Sequence, residues 1–130
     1  MLQNIIFKDS KMMAEFTAFI DPRLQAFLLW LAYWLDQKWE KNLTITCLNR
    51  TVEENKEVNG SKYSAHLTGL AVDIRSWTLT SDKIEELIKT VEDSWGDMIY
   101  ILYHNSGSGA HIHINIRYKY FINKYSQNGG

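Results

Sequence analysis

The segment His111-Ile112-His113-Ile114-Asn115-Ile116 alternates without a break between polar and apolar side chains. Successive side chains on a β-strand point to opposite faces, so Ile112, Ile114 and Ile116 share one face and His111, His113 and Asn115 the other. A chain holding such a strand buries one side of a sheet and keeps polar groups on the second. With 130 residues, of which 45% are hydrophobic, there is enough apolar material for a core in a single domain over residues 1–130. Cys47 is the one cysteine, which excludes an internal disulfide.

The remaining elements follow from local signals. Asp9 or Ser10 is a candidate cap for a short helix carrying Met12, Met13, Phe16 and Phe19. Asp21-Pro22 is a stronger start, because an N-cap carboxylate accepts backbone N–H groups and proline at the first helical position lacks an N–H that would be unpaired anyway. Leu24, Phe27, Leu28, Leu31, Trp34 and Leu35 then recur at helical spacing to about Lys38. That aromatic stripe reads as core packing rather than as a cofactor site.

Residues 43–48 alternate and are rich in β-branched side chains, which predicts a strand. The polar segment 49–63 follows, with Asn59-Gly60 as a turn signal. Residues 70–74 predict a second strand, and Thr80 or Ser81 caps a helix bearing Ile84, Leu87, Ile88 and Val91. A third apolar run covers 98–103, and the Asn, Ser and Gly residues of 105–109 read as a flexible turn. This order predicts an α+β fold, with N-terminal helices and one further helix packed on a small, mainly antiparallel sheet.

Charge narrows the function classes. The formal net charge is -1 and no run of Lys or Arg occurs, so there is no electrostatic footprint for nucleic acid. The most apolar stretch, 26–35, is about half a membrane span in length and reads as a core helix, so no membrane span is expected. The opening MLQNIIFKDSK has neither a basic leader nor a long apolar run, and no secretory signal is visible in it. A monomer made in the cytoplasm is the expectation.

The residues suited to catalysis lie in two clusters. One runs from Ser64 to Asp73 and contains His66, Gly69 and Ala71; the other is His111-Ile112-His113. H-x-H alone is read equally well as the polar face of an edge strand, and a carboxylate seven residues from a histidine is common by chance. Together they offer more: a zinc hydrolase needs three N or O ligands and a fourth position open to water. His66, Asp73 and one histidine of the strand pair would supply that set.

The pattern Ser64-x-His66-x-x-Gly69-x-Ala71-x-Asp73 followed by His111-x-His113 resembles the zinc D-alanyl-D-alanine carboxypeptidase family, which includes peptidoglycan endopeptidases and shares its fold with the hedgehog signalling domain. Upstream, Arg50, Asn55, Val58 and Gly60 fall into the family's register without a gap. The resemblance implies a hedgehog-like peptidase fold and a Zn2+ cofactor held by His66, Asp73 and His113. It further implies catalytic roles for His111, beside the scissile carbonyl, and for Arg50, which would hydrogen-bond the substrate carbonyl, with Ser64 as a substrate contact.

The implied substrates are peptidoglycan stem peptides, cut by a carboxypeptidase or an endopeptidase. The lack of a leader fits a phage-type lysin released by a holin, or export by another route. One departure stands out. Many relatives carry an acid about three residues before the last ligand, where this chain has Ala110, and no carboxylate lies between Asp97 and His113. His111 would then take the base role, an unperturbed imidazole titrating near 6.5.

Two other readings differ in kind. A zinc-binding domain without turnover, as in the hedgehog branch, would also lack that acid. A cupin-type metal protein expects an acid and a further histidine after H-x-H, and neither follows His113 within residues 114–121. His104 stands apart, as a surface residue beside the turn or, alternatively, as a group leaning into the cleft. Cys47 has no His–Asn partner in its context, which argues against a cysteine peptidase.

Overall fold

A computed structural model describes residues 4–18, 20–48, 69–106 and 109–117. Their order is β1 (Ile5–Phe7), α1 (Ser10–Ala18), α2 (Pro22–Trp39), β2 (Leu43–Cys47), β3 (Ala71–Arg75), α3 (Ser81–Trp95), a 3-10 turn (Gly96–Met98), β4 (Ile99–Ser106) and β5 (Gly109–Ile116). The strands form one sheet in the order β1-β2-β3-β5-β4. Among the described strands only β1 and β2 run parallel; the other neighbours are antiparallel, in keeping with the predicted α+β class.

The helices begin where the sequence places their caps. Asp21 accepts from the Arg23 N–H at 2.9 Å, and the same carboxylate takes two further bonds from the Arg23 guanidinium at 2.9 and 3.0 Å. The side-chain hydrogen bond to Asp21, opposed by burial, holds the Arg23 guanidinium above its ordinary range. Thr80 caps α3 by accepting from the Lys83 N–H at 3.3 Å. α2 ends at Glu40 in the left-handed conformation, φ 53°, where its N–H still reaches the Asp36 carbonyl at 3.0 Å.

All of the isoleucines of β5 face the helices. Ile112, Ile114 and Ile116 are fully buried in one cluster with Val72 and Ile74 of β3, Leu24, Phe27, Leu28 and Leu31 of α2, and Leu87 and Val91 of α3. Burial of a side chain of this size contributes about 1.5–3 kcal/mol, so this layer is the main driving force for the fold. The aromatic stripe of α2 belongs to the same packing. Trp95 of α3 meets Phe27 and Trp30 edge-on at 5.2 and 5.8 Å between ring centroids. The described helices thus pack on one face of the sheet, and His111 and His113 stand on the other.

Two features depart from the sequence expectations. β1 was not foreseen: three residues are too few to show an alternation, and the strand is held by long-range bonds. The Leu43 N–H donates to the Asn4 carbonyl at 2.8 Å, and Asn4 Nδ2 reaches the Ala32 carbonyl at 2.7 Å. The expected turn at 105–109 is also shorter. Asn105 and Ser106 pair with Ala110 and Gly109 as the last rungs of the β4–β5 ladder, cross-strand hydrogen bonding there overriding turn propensity. Among the described residues no helix is long and apolar enough to cross a membrane.

Candidate active site

Sheet register brings the predicted residues together. Asp73 on β3 lies directly opposite His113 on β5, and Arg75 opposite His111. Directly opposed residues of an antiparallel pair share a face. β4 adds to that face from the other side, with His104 opposite His111 and Tyr100 opposite Asn115. The strand at the middle of this arrangement, β5, has neighbours on both edges, so its backbone is fixed by two ladders.

The pairing is close enough for side-chain contact. His113 Nδ1 lies 3.0 Å from Asp73 Oδ1, and His111 Nε2 lies 3.8 Å from Asp73 Oδ2. The Asp73 side chain is 11% exposed, against 23% and 25% for the two imidazoles. A carboxylate this far from water needs partners, and the two histidines stand where partners must be. On their far sides, His111 Nδ1 is 3.1 Å from the Gly109 carbonyl and His113 Nε2 is 2.8 Å from Asn115 Oδ1. The Thr46 hydroxyl donates to the Asp73 carbonyl at 3.3 Å, tying this rung to β2 at a bulge between Ile45 and Cys47.

Residues 5–115 match the protein family described as Peptidase M15. The chain belongs to the peptidase M15 family. No curated protein and no solved structure matches the chain. The family match begins at the first residue of β1 and ends at Asn115, one residue before the end of β5, so it takes in the whole described sheet but its last position.

Of the predicted site residues, Asp73, His111 and His113 lie in this cluster, whereas Arg50, Ser64 and His66 lie outside the described residues. Among the described residues no three His, Cys, Asp or Glu side chains form a group able to hold a metal ion. The donors that are described do suit one. Zinc bonds to nitrogen and oxygen of about 2.0–2.1 Å at a tetrahedral angle separate two ligand atoms by roughly 3.3 Å, and His113 Nδ1 and Asp73 Oδ1 stand 3.0 Å apart.

The sheet brings two further residues to this face: His104, which the sequence left either at the surface or leaning into the cleft, and Tyr100, which it did not single out. His104 is exposed, yet its ring lies 5.3 Å from that of His111, across the ladder. The Tyr100 ring meets His113 edge-on at 6.4 Å. The signal for both was the alternation Tyr100, Leu102, His104 along β4, hidden by the apolar residues around it. Beyond the cluster, Arg75 stacks on Trp77, which is 74% exposed, at 4.5 Å from the ring centre.

Proposed function

We propose that this member of the peptidase M15 family is a zinc peptidase that hydrolyses peptide bonds in the stem peptides of bacterial peptidoglycan, with His66, Asp73 and His113 as the metal ligands. The observation that carries this reading is the direct cross-strand opposition of Asp73 and His113, which puts a largely buried carboxylate oxygen 3.0 Å from an imidazole nitrogen. When bound, zinc would supply Lewis acidity, polarising a carbonyl oxygen and making water a competent nucleophile near neutral pH.

The chain's own residues supply the rest. His111 lies on the same strand face, two residues from His113, with its Nε2 turned toward Asp73. A carbonyl oxygen only accepts, so the His111 Nδ1–H donates to Gly109 and Nε2 is left as a base. That nitrogen would take a proton from water as it attacks and return it to the leaving amine. Arg50 would stabilise the negative charge that develops on the carbonyl oxygen, usually the largest single term in such catalysis. Ser64 would contact the substrate. The chain would be made in the cytoplasm and reach the wall by holin release or another route of export.

A zinc-binding domain without turnover is the second reading, supported by the lack of any acid between Asp97 and His113. Metal analysis and muropeptide digestion on the same preparations decide between them. About one zinc per chain is expected, lowered by His66→Ala, Asp73→Ala and His113→Ala and retained by His111→Ala. Zinc without hydrolysis selects the binding domain. Loss of metal in His111→Ala with retention in His113→Ala reverses the assignment within the pair.

A further inference from the structure

Within β3, β4 and β5, Arg75 is the single lysine or arginine and Asp73 the single acid. Strand alternation puts both on the face that carries His111 and His113. The two do not pair. Asp73 turns to the histidines, at 3.0 and 3.8 Å, and none of the ion pairs among the described residues includes Arg75. A full positive charge thus stands on the catalytic face, one rung from the Asp73–His113 pair and directly opposite His111.

What Arg75 does touch is Trp77, with its guanidinium carbon 4.5 Å from the ring centre. Trp77 lies outside the core, and its turn is closed by the Leu79 N–H donating to the Ser76 carbonyl at 3.0 Å. A guanidinium that stacks on a ring engages it with the flat of its plane, while its N–H donors point outward within that plane. Those donors form a fork that matches a carboxylate with two parallel hydrogen bonds. The ring thereby steadies a long, flexible side chain and leaves its recognition edge open.

We propose that Arg75, steadied by Trp77 as a positioning residue, is a substrate-binding residue that selects peptides carrying a free carboxylate beside the bond to be cut. Two positions along a strand cover about 6.8 Å, roughly the length of two residues of extended peptide. The carboxylate recognised therefore lies within about two residues of the scissile carbonyl, at the chain end or on a side chain. The identity of the ligand as a peptide rests on the peptidase reading of this face; the preference for a carboxylate does not.

The test gives the full-length chain, with zinc, the peptide L-Ala-D-Glu-L-Lys-D-Ala-D-Ala and three analogues. These are amidated at the terminal carboxyl, at the free D-Glu carboxyl, or at both. Turnover gives kcat/KM for each peptide, and titration calorimetry gives Kd independently of cleavage. In wild type, one of the single amidations should lower both by about 10–100-fold, the loss of a charge-assisted pair. The carboxyl whose loss does so is the one Arg75 holds. In Arg75→Gln the acid and amide forms of that peptide should be handled alike. Arg75→Lys, which keeps the charge without the planar fork, should retain part of the preference. Trp77→Leu should lower it by less than Arg75→Gln does.

Each preference is a ratio within one protein, so a general loss of activity or stability in a variant does not imitate the effect. A wild type that treats all four peptides alike overturns the proposal without touching the peptidase reading, and so does an Arg75→Gln protein with the wild-type preference. A wild type that binds with the carboxylate preference and cuts none of the four upholds the role of Arg75 and removes the peptidase reading instead.

Discussion

Replacing Asp73 by Asn separates a ligand from a structural carboxylate. The substitution keeps the shape of the side chain, and the flanking Val72 and Ile74 stay buried at 0% and 1% exposure. The amide retains an oxygen that can accept from His113 Nδ1, as the carboxylate does at 3.0 Å. One neutral hydrogen bond is worth about 0.5–1.5 kcal/mol net, so the metal-free protein should change in stability by no more than about that amount.

The zinc response should change far more. A ligand present at about 100 times its Kd stabilises a fold by about 2.7 kcal/mol. At about 2.1 cal/mol/K of unfolding entropy per residue, the 130-residue chain has about 0.27 kcal/mol/K, so wild type should gain about 10 °C in Tm on adding zinc. Asp73→Asn should gain little or nothing at the same zinc concentration. Scanning calorimetry of both proteins, each with chelator and with zinc, measures the four midpoints. An undiminished zinc shift in the variant would refute the ligand role. A loss of several kcal/mol in the metal-free variant would show that the carboxylate supports the fold itself.

Three further outcomes are expected. His111→Gln should keep its zinc and lose most of its turnover; normal turnover with zinc bound would place the base elsewhere, with His104 the next residue to change. Arg50→Ala should keep fold and metal and lose about 10²–10³-fold in rate, partly restored by Lys, which lacks the planar fork; a wild-type rate in the alanine variant sinks the role. Ile114→Ala removes a fully buried side chain between β5 and the helices and should cost about 2–5 kcal/mol in urea unfolding. A cost well under about 1 kcal/mol would mean that Ile114 is not part of a close-packed core.

The parts of the fold that the sequence shows are those with a local physical cause. Asp21-Pro22 announces α2 because a cap and a fixed φ act within one turn, and the Ile112, Ile114, Ile116 period announces β5 because a half-buried strand must alternate. β1 has no such cause: Ile5–Phe7 is a strand because Leu43–Cys47 lies beside it, a pairing made across the whole of α1 and α2. The strand order is equally non-local, with β5 inserted between β3 and β4.

The site divides along the same line. Residue types and strand faces picked out Asp73, His111 and His113, but their mutual opposition depends on a register that only the folded sheet defines. Asn115 was legible as a residue on the histidine face and not as a hydrogen-bond acceptor, since that depends on how its amide is turned. His104 was read with the turn that follows it, because Asn105, Ser106 and the glycines carry a strong turn signal of their own.

Mass spectrometry of a sacculus digest reads whether this chain cuts peptidoglycan stem peptides with zinc. Purified sacculi are treated with the protein as prepared, after chelation, and after zinc is restored, and the released fragments are sequenced. New peptide termini are expected in the first and third digests and none in the second, the termini naming the bond. Intact stem peptides in all three digests would rule out the peptidase activity, and cleavage that persists undiminished after chelation would rule out its dependence on zinc.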